Sequence, residues 1–265
     1  MNIRFILEIA GMFLIPLFVV LIPIFLGQRY GIYRSKKTED MQHTPVGTVV
    51  GSTFGLLAFM LAFTFQIVSN RYDTRKELLV AEVTNIRTAY LRAGLIPEPF
   101  RTETRNLLVE YVDHRVQLAS DLSKLGILMS RSQQIQDTLW KYCEKLGELD
   151  RSSENYSLFI SSVNDLVENY NQRVTMTLEF RIPVVILWAL FIITFFSMLA
   201  LGYQFGISGK GSFRINLILG IIFAIVMFLI LALDRPETGL APINQKPMFT
   251  LQQQLQVMQS NIGTK

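Results

Sequence analysis

The sequence predicts an all-α membrane protein with four transmembrane helices and a helical soluble insert between spans two and three. Charged residues are absent from residues 9–28, 41–70, 182–209 and 215–233, and each window holds an apolar core long enough to cross roughly 30 Å of bilayer hydrocarbon. Between the second and third windows, residues 71–181 carry 15 Lys+Arg against 16 Asp+Glu, with apolar residues recurring at helical intervals. No segment sustains the alternation of a strand. The expected organisation is residues 1–69 for spans one and two, 70–182 for the insert, 183–234 for spans three and four, and 235–265 for a turn and tail helix.

Composition narrows the function. Half of the 265 residues are hydrophobic and only 17% are charged, too apolar for an ordinary soluble domain. The insert is charge-balanced, so the net +4 arises in the remaining segments, with 10 basic and 5 acidic residues. A nucleic-acid surface would need that excess on the insert, and no nucleic-acid partner is expected. One cysteine, Cys143, allows no internal disulfide, and two histidines allow no cysteine and histidine metal cluster.

The first span, residues 6–26, is longer than a signal-peptide core, contains Pro16 and Pro23, and lacks a small-residue cleavage site, so it is expected to be retained. Glu8 lies one turn from Arg4, the spacing of a paired interfacial carboxylate. In the second span, residues 46–68, Gly47, Gly51 and Gly55 recur every four residues beside Thr48, Ser52, Ala58 and Ala62, a small face suited to close helix approach. After Gly55 there is no Gly or Pro until Gly94. Leu79, Val83, Ile86 and Tyr90 keep the helical period, so one helix is expected to leave the membrane and enter the insert, roughly 57 Å for 38 residues.

Pro97 and Pro99 end that helix. Three apolar stripes follow: Leu107, Tyr111, Leu118, Leu122 and Leu125; Ile135, Leu139, Cys143 and Leu146; and Ile160, Val163, Val167, Tyr170, Val174 and Leu178. His114 and Cys143 fall on these stripes and are expected to be packed side chains. The last stripe is expected to run straight into Pro183 and the third span, residues 184–205, with a short turn leading to the fourth, residues 215–233. Beyond it, Asp234, Arg235, Pro236 and Gly239 form a fixed turn, and Leu251, Leu255 and Met258 mark a short amphipathic helix before a frayed end.

No nucleophile elbow, phosphate-binding loop, paired histidine ligands or calcium-loop spacing is present, so no catalytic residue, metal site or cofactor is assigned and no enzyme is expected. The informative residues lie on the second helix. Ser52, Phe59, Gln66 and Asp73 recur every seven residues, with Gly55, Phe63 and Asn70 beside them. In a single chain such a face is a packing seam against another span. In a symmetric oligomer it lines an axis, with Phe59 and Phe63 as an apolar constriction between polar vestibules. The following cluster, Arg71 to Ile86, carries both signs, and Asp73 stands one turn from Lys76 and Glu77. Glu82 and Asn85 lie among Leu79, Val83 and Ile86, where polar groups are expected to be buried and hydrogen-bonded.

The segments LLAFMLAFTF, RYDTRKELLVAEVTNIRTAYLR, LALGYQFG and LDRPETG together resemble the bacterial bestrophin-like domain proteins over nearly the whole chain. Glu82, Asn85 and Arg92, with Asp234, Pro236 and Gly239, carry the most specific part of that resemblance. More distantly the plan is similar to the bestrophin channels, homopentamers whose second span lines the pore and runs into a Tyr-Asp pair followed by charged residues. Tyr72, Asp73, Arg75, Lys76 and Glu77 stand in that order. The chain departs from bestrophins in having Thr74 and Arg75 where they carry two tryptophans, a longer acidic-Pro-Gly turn and no histidine in the third span.

The resemblance implies a homo-oligomer, a pentamer, in the bacterial inner membrane, conducting inorganic ions past Ser52, Gly55, Phe59, Phe63, Gln66, Asn70 and Asp73. It also implies a tail packed on the insert, with the insert and both termini in the cytoplasm and the lipid bilayer and further copies of the chain as partners. Charge bias is nearly even, with 8 basic residues near the membrane on the insert side and 6 on the other. The competing expectation is a non-conducting scaffold or sensor whose helical insert binds a partner.

Overall fold

The structure, a computed structural model, describes residues 3–37, 46–120, 125–209, 212–235 and 240–263. Its elements are α1 (Ile3–Ser35), α2 (Val46–Arg92), a 3-10 turn (Ala93–Leu95), α3 (Phe100–Ser120), α4 (Leu125–Leu149), α5 (Glu154–Val174), α6 (Val184–Ser208), α7 (Phe213–Asp234) and α8 (Lys246–Gly263). No strand occurs among the described residues. Parts of α1, α2, α6 and α7 are long and apolar enough to cross a membrane. The chain divides into a membrane unit, Met1–Tyr72 with Arg181–Pro242, and an insert unit, Asp73–Phe180 with Ile243–Lys265.

In the membrane unit α1 lies directly against α6. Gly27 and Gly31 of α1 meet Gly202 and Gly206 of α6 so closely that an added Cβ would strike backbone: at Gly202 that of Ile24, at Gly206 that of Gln28 and Gly31. Four residues without side chains therefore let the two backbones touch, the geometry of membrane helix pairs held by dispersion. The expected close-packing glycines behave differently, since Gly51 and Gly55 have open space where a side chain would begin. Meeting the bundle through larger groups, α2 puts Leu57, Leu61 and Val68 in a core with Val20, Ile24, Leu190, Met198, Met227 and Ile230, while Phe54 sets its ring edge-to-face on Phe223. Polar ties add to this core: Ser197 donates to the Thr53 carbonyl at 3.3 Å, and Asn216 donates to Gln28 at 2.8 Å.

Pro16 and Pro23 both lie inside α1, which runs on to Ser35, past the apolar core, because its glycine face is packed on α6. Gly209, at φ 66°, closes α6 in the left-handed conformation that favours glycine. The side chains of Arg4 and Glu8, and of Leu122 and Leu178, lie outside the described residues, as do Pro236 and Gly239.

The insert unit packs the second half of α2 with α3, α4, α5 and α8. Leu79, Ile86, Tyr90, Leu108, Tyr111, Val112, Ile135, Leu139, Leu146, Phe159 and Val163 are buried together, and Met248, Leu251 and Leu255 bring the tail helix into the same core. Gln252 of α8 also donates to Asp113 of α3 at 2.7 Å. Ile135, Leu139, Cys143 and Leu146 are all buried as their spacing predicts. Burial pushes the Cys143 thiol up to about 12, leaving an inert packed side chain. His114 is only half-buried, at 3.9 Å from Glu110, because the inner face of α3 is set by Leu108, Tyr111, Val112 and Arg115 instead. Two boundaries differ from expectation. α5 does not continue into α6: a π-type turn over Thr175–Glu179 and an extended stretch to Pro183 intervene, Pro183 disfavouring helix at Ile182. The tail helix persists to Gly263, beyond the predicted fraying point.

Gly202→Val should lower the melting temperature of the purified protein in detergent, since its side chain must push Ile24 away, a loss of about 1–3 kcal/mol. Gly11→Ala, where nothing lies within 4 Å, should leave it unchanged or slightly raised.

Candidate functional site

Two features of α2 stand out: a bare face and a buried charge. Along the bare face Ser52, Leu56, Phe59, Phe63, Gln66 and Asn70 are exposed within the single chain, as is Gly55. Phe59 and Phe63 are 64% and 50% exposed and lie nearly parallel, ring centroids 6.3 Å apart and interplanar angle 14°. Ser52 donates back to the Thr48 carbonyl at 2.9 Å, and Gln66 donates to Asn70 at 2.6 Å. The chain therefore does not use this face as a seam against its other spans. Asp73, the next residue in the seven-residue series, is exposed and receives a hydrogen bond from Lys76 at 3.3 Å.

The opposite face of α2 is buried at Val50, Leu57, Leu61, Thr64, Val68, Arg75, Leu79, Glu82 and Ile86, residues spaced by three, four or seven. Tyr72 is half-buried beside it. In the membrane unit, Asp234 at the end of α7 is buried, accepts from the Ile182 backbone N–H at 2.9 Å and stands 3.6 Å from Arg71. One carboxylate thus ties together the middle of α2, the end of α7 and the segment that leads into α6.

In the insert unit Glu82 is the centre of a buried ion cluster. Arg115 of α3 forks onto it, Nε to Oε1 at 2.8 Å and Nη2 to Oε2 at 3.0 Å, and Tyr111 donates its hydroxyl at 2.9 Å. Arg173 of α5 stands 3.3 Å from the second oxygen and lies over the Tyr170 ring at 5.5 Å. Glu82 is 14 residues past Val68, well outside the charge-free stretch. Burial alone would raise its carboxyl, but the Arg173 and Arg115 charges, with hydrogen bonds from Arg115 and Tyr111, hold it below the ordinary carboxylate value. Two further predicted polar residues tie α2 to α5: Asn85 donates to the Asp165 carbonyl at 3.0 Å, and Arg92 to the Leu158 carbonyl at 2.8 Å. Tyr111 lies on a predicted apolar stripe, but Arg115 and Arg173 have no sequence signal, since nothing local marks which cation a buried carboxylate will meet.

Glu82→Gln leaves the buried Arg115 and the half-buried Arg173 without a counter-charge and should destabilise the insert by about 3–5 kcal/mol, seen as a lower helical melting temperature at neutral pH. Because the folded carboxyl titrates below its unfolded value, its stabilisation is present above that value and is lost as pH falls through the folded one. Acid should therefore weaken the parent protein, and Glu82→Gln should lack that part of the pH dependence.

No curated protein matches the sequence. The whole fold is similar to crystal structures of a bacterial bestrophin homologue from Klebsiella pneumoniae. For one point variant of that homologue the TM-score is 0.61 at 14% identity, covering 91% of this chain and 98% of the other. For the structure phased on zinc it is 0.57 at 15% identity, covering 91% and 97%. A structure described as a membrane protein gives 0.62 at 14% identity, covering 95% and 98%. The profile of the Bestrophin-like domain matches residues 14–248, nearly the entire sequence, and the chain is thus a membrane protein belonging to the Bestrophin-like domain family.

Proposed function

We propose that the chain assembles as a homopentamer around the bare face of α2 and conducts inorganic ions along the axis, past Ser52, Gly55, Phe59, Phe63, Gln66, Asn70 and Asp73. The observation that carries this reading is that the face is exposed from Ser52 to Asn70 in the single chain. Placing the amides of Gln66 and Asn70 against hydrocarbon would cost about 1–3 kcal/mol each, so the face calls for protein or water. Around a symmetry axis it receives both: neighbouring copies of α2 at its edges and an aqueous path at its centre. The bestrophin resemblance supplies the number five and the choice of the second span. It also supplies the setting, a bacterial inner membrane with the insert and both termini in the cytoplasm.

In this arrangement Phe59 and Phe63 are each repeated five times, making a dry collar that ions cross only when it widens or wets. Ser52 lies on one side of the collar, and Gln66, Asn70 and Asp73 lie on the other. The same face on a non-conducting scaffold would serve assembly alone.

Because both rings are exposed in the chain, replacing them opens no cavity in its own core. Phe59→Ala with Phe63→Ala should therefore keep yield and melting temperature while raising ion flux in liposomes several-fold. Unchanged flux from a stable, assembled double variant would favour the scaffold. A single-subunit particle mass in detergent would remove the pore altogether.

A further inference from the structure

Away from α2, the insert unit holds a groove of about 640 Å³ between α4 and α5, a size usual for small-molecule sites. Gln136 and Tyr170 line its inner side and are only 5% and 7% exposed. The Gln136 amide nitrogen is buried with no hydrogen-bond partner, a donor left waiting for an acceptor. Tyr170 is held in place by the Arg173 guanidinium over its ring. The outer side is one face of α4. Asp137, Trp140 and Glu144 follow each other by three and four residues, so the 40%-exposed indole is flanked by two carboxylates. With Lys141 also lining the groove, its charged residues sum to one net negative charge. Gln136 and Trp140 are separated by one turn, roughly 5–6 Å between Cβ atoms.

We propose that this groove binds a small alkylammonium compound that carries a hydrogen-bond acceptor, with the ammonium group over Trp140 between Asp137 and Glu144 and the acceptor on the Gln136 amide. An aromatic face rimmed by carboxylates is the chemistry that recognises alkylammonium groups. The buried donor adds the requirement for an acceptor about one helical turn away. This binding is independent of conduction and stands or falls separately from the channel reading.

The test uses the full chain in maltoside detergent, carrying Trp188→Phe so that Trp140 is the sole tryptophan. Titration with betaine should give a saturable change in indole fluorescence, with affinity about tenfold above that of tetramethylammonium, which lacks the acceptor. Acetate, which lacks the cation, should give none. Gln136→Leu removes an unsatisfied amide, leaves folding intact and should erase the preference for betaine. Asp137→Asn with Glu144→Gln should weaken both ammonium ligands about tenfold. No saturable signal, equal response to acetate, or affinities that these substitutions leave unchanged would overturn the proposal.

Discussion

A helix that runs from Val46 to Arg92 without a break has no way to change which side it buries except through the slow drift of its own period. This constraint organises both units. Residues buried at intervals of three, four and seven leave the opposite side of the same helix bare, and a strict seven-residue repeat keeps both sides in register over many turns. Within the membrane unit the buried side is aliphatic, Leu57, Leu61 and Val68, and needs only dispersion to hold it. In the insert unit it includes Arg75 and Glu82, which must be paired or hydrogen-bonded to be buried at all. Each unit therefore holds its own part of α2 by a different physical means.

The Glu82 cluster is the more specific of those means. An apolar contact tolerates rotation, whereas a carboxylate with a forked guanidinium on one side and a phenol on one of its oxygens accepts a single geometry. Two arginines meet one carboxylate, so the cluster carries one excess positive charge, eased by the Tyr170 ring beneath Arg173. Asn85 and Arg92 reach α5 carbonyls further along α2, and these groups together fix how α2 sits against α3 and α5. Such an arrangement contributes little net stability over an apolar core of equal volume, and its effect is to exclude other registers.

How much of this was legible in the sequence depends on the range of the interaction. The four spans, the stripe through Ile135, Leu139, Cys143 and Leu146, and the uninterrupted α2 follow from local period and the absence of Gly and Pro. The buried role of Glu82 follows from a polar residue placed within an apolar stripe, and so does the hydrogen bond of Asn85, which is only half-buried. Their partners do not, because Arg115 and Arg173 are ordinary cations on ordinary helices until the fold brings them together. The α1 and α6 contact was hidden for the same reason: Gly27, Gly31, Gly202 and Gly206 form a motif only in pairs from distant segments. Gly47, Gly51 and Gly55, which advertise close packing locally, receive no such partner within the chain. The break before α6 was missed because Pro183 is compatible with a helix start as well as with a helix continued through it.

The glycines of the membrane unit thus fall into two groups with different physical consequences. Those of α1 and α6 are consumed by a backbone contact, and adding a methyl group to Gly202 would push the helices apart. Those at 51 and 55 of α2 meet open space, although a helix-interior glycine is disfavoured by roughly 0.5–1 kcal/mol relative to alanine. Small residues on a helix surface gain nothing from lipid, which fills such gaps readily. They gain when another rigid surface must come close or when a path must stay open beside them. The glycines lead into the same bare face as Ser52, Phe59, Phe63, Gln66 and Asn70, so a single cause acting on that face accounts for the small, the aromatic and the polar positions together. The assembly proposed above, with further copies of α2 around an axis, would supply that cause, whereas contact with lipid would explain only the two aromatic rings.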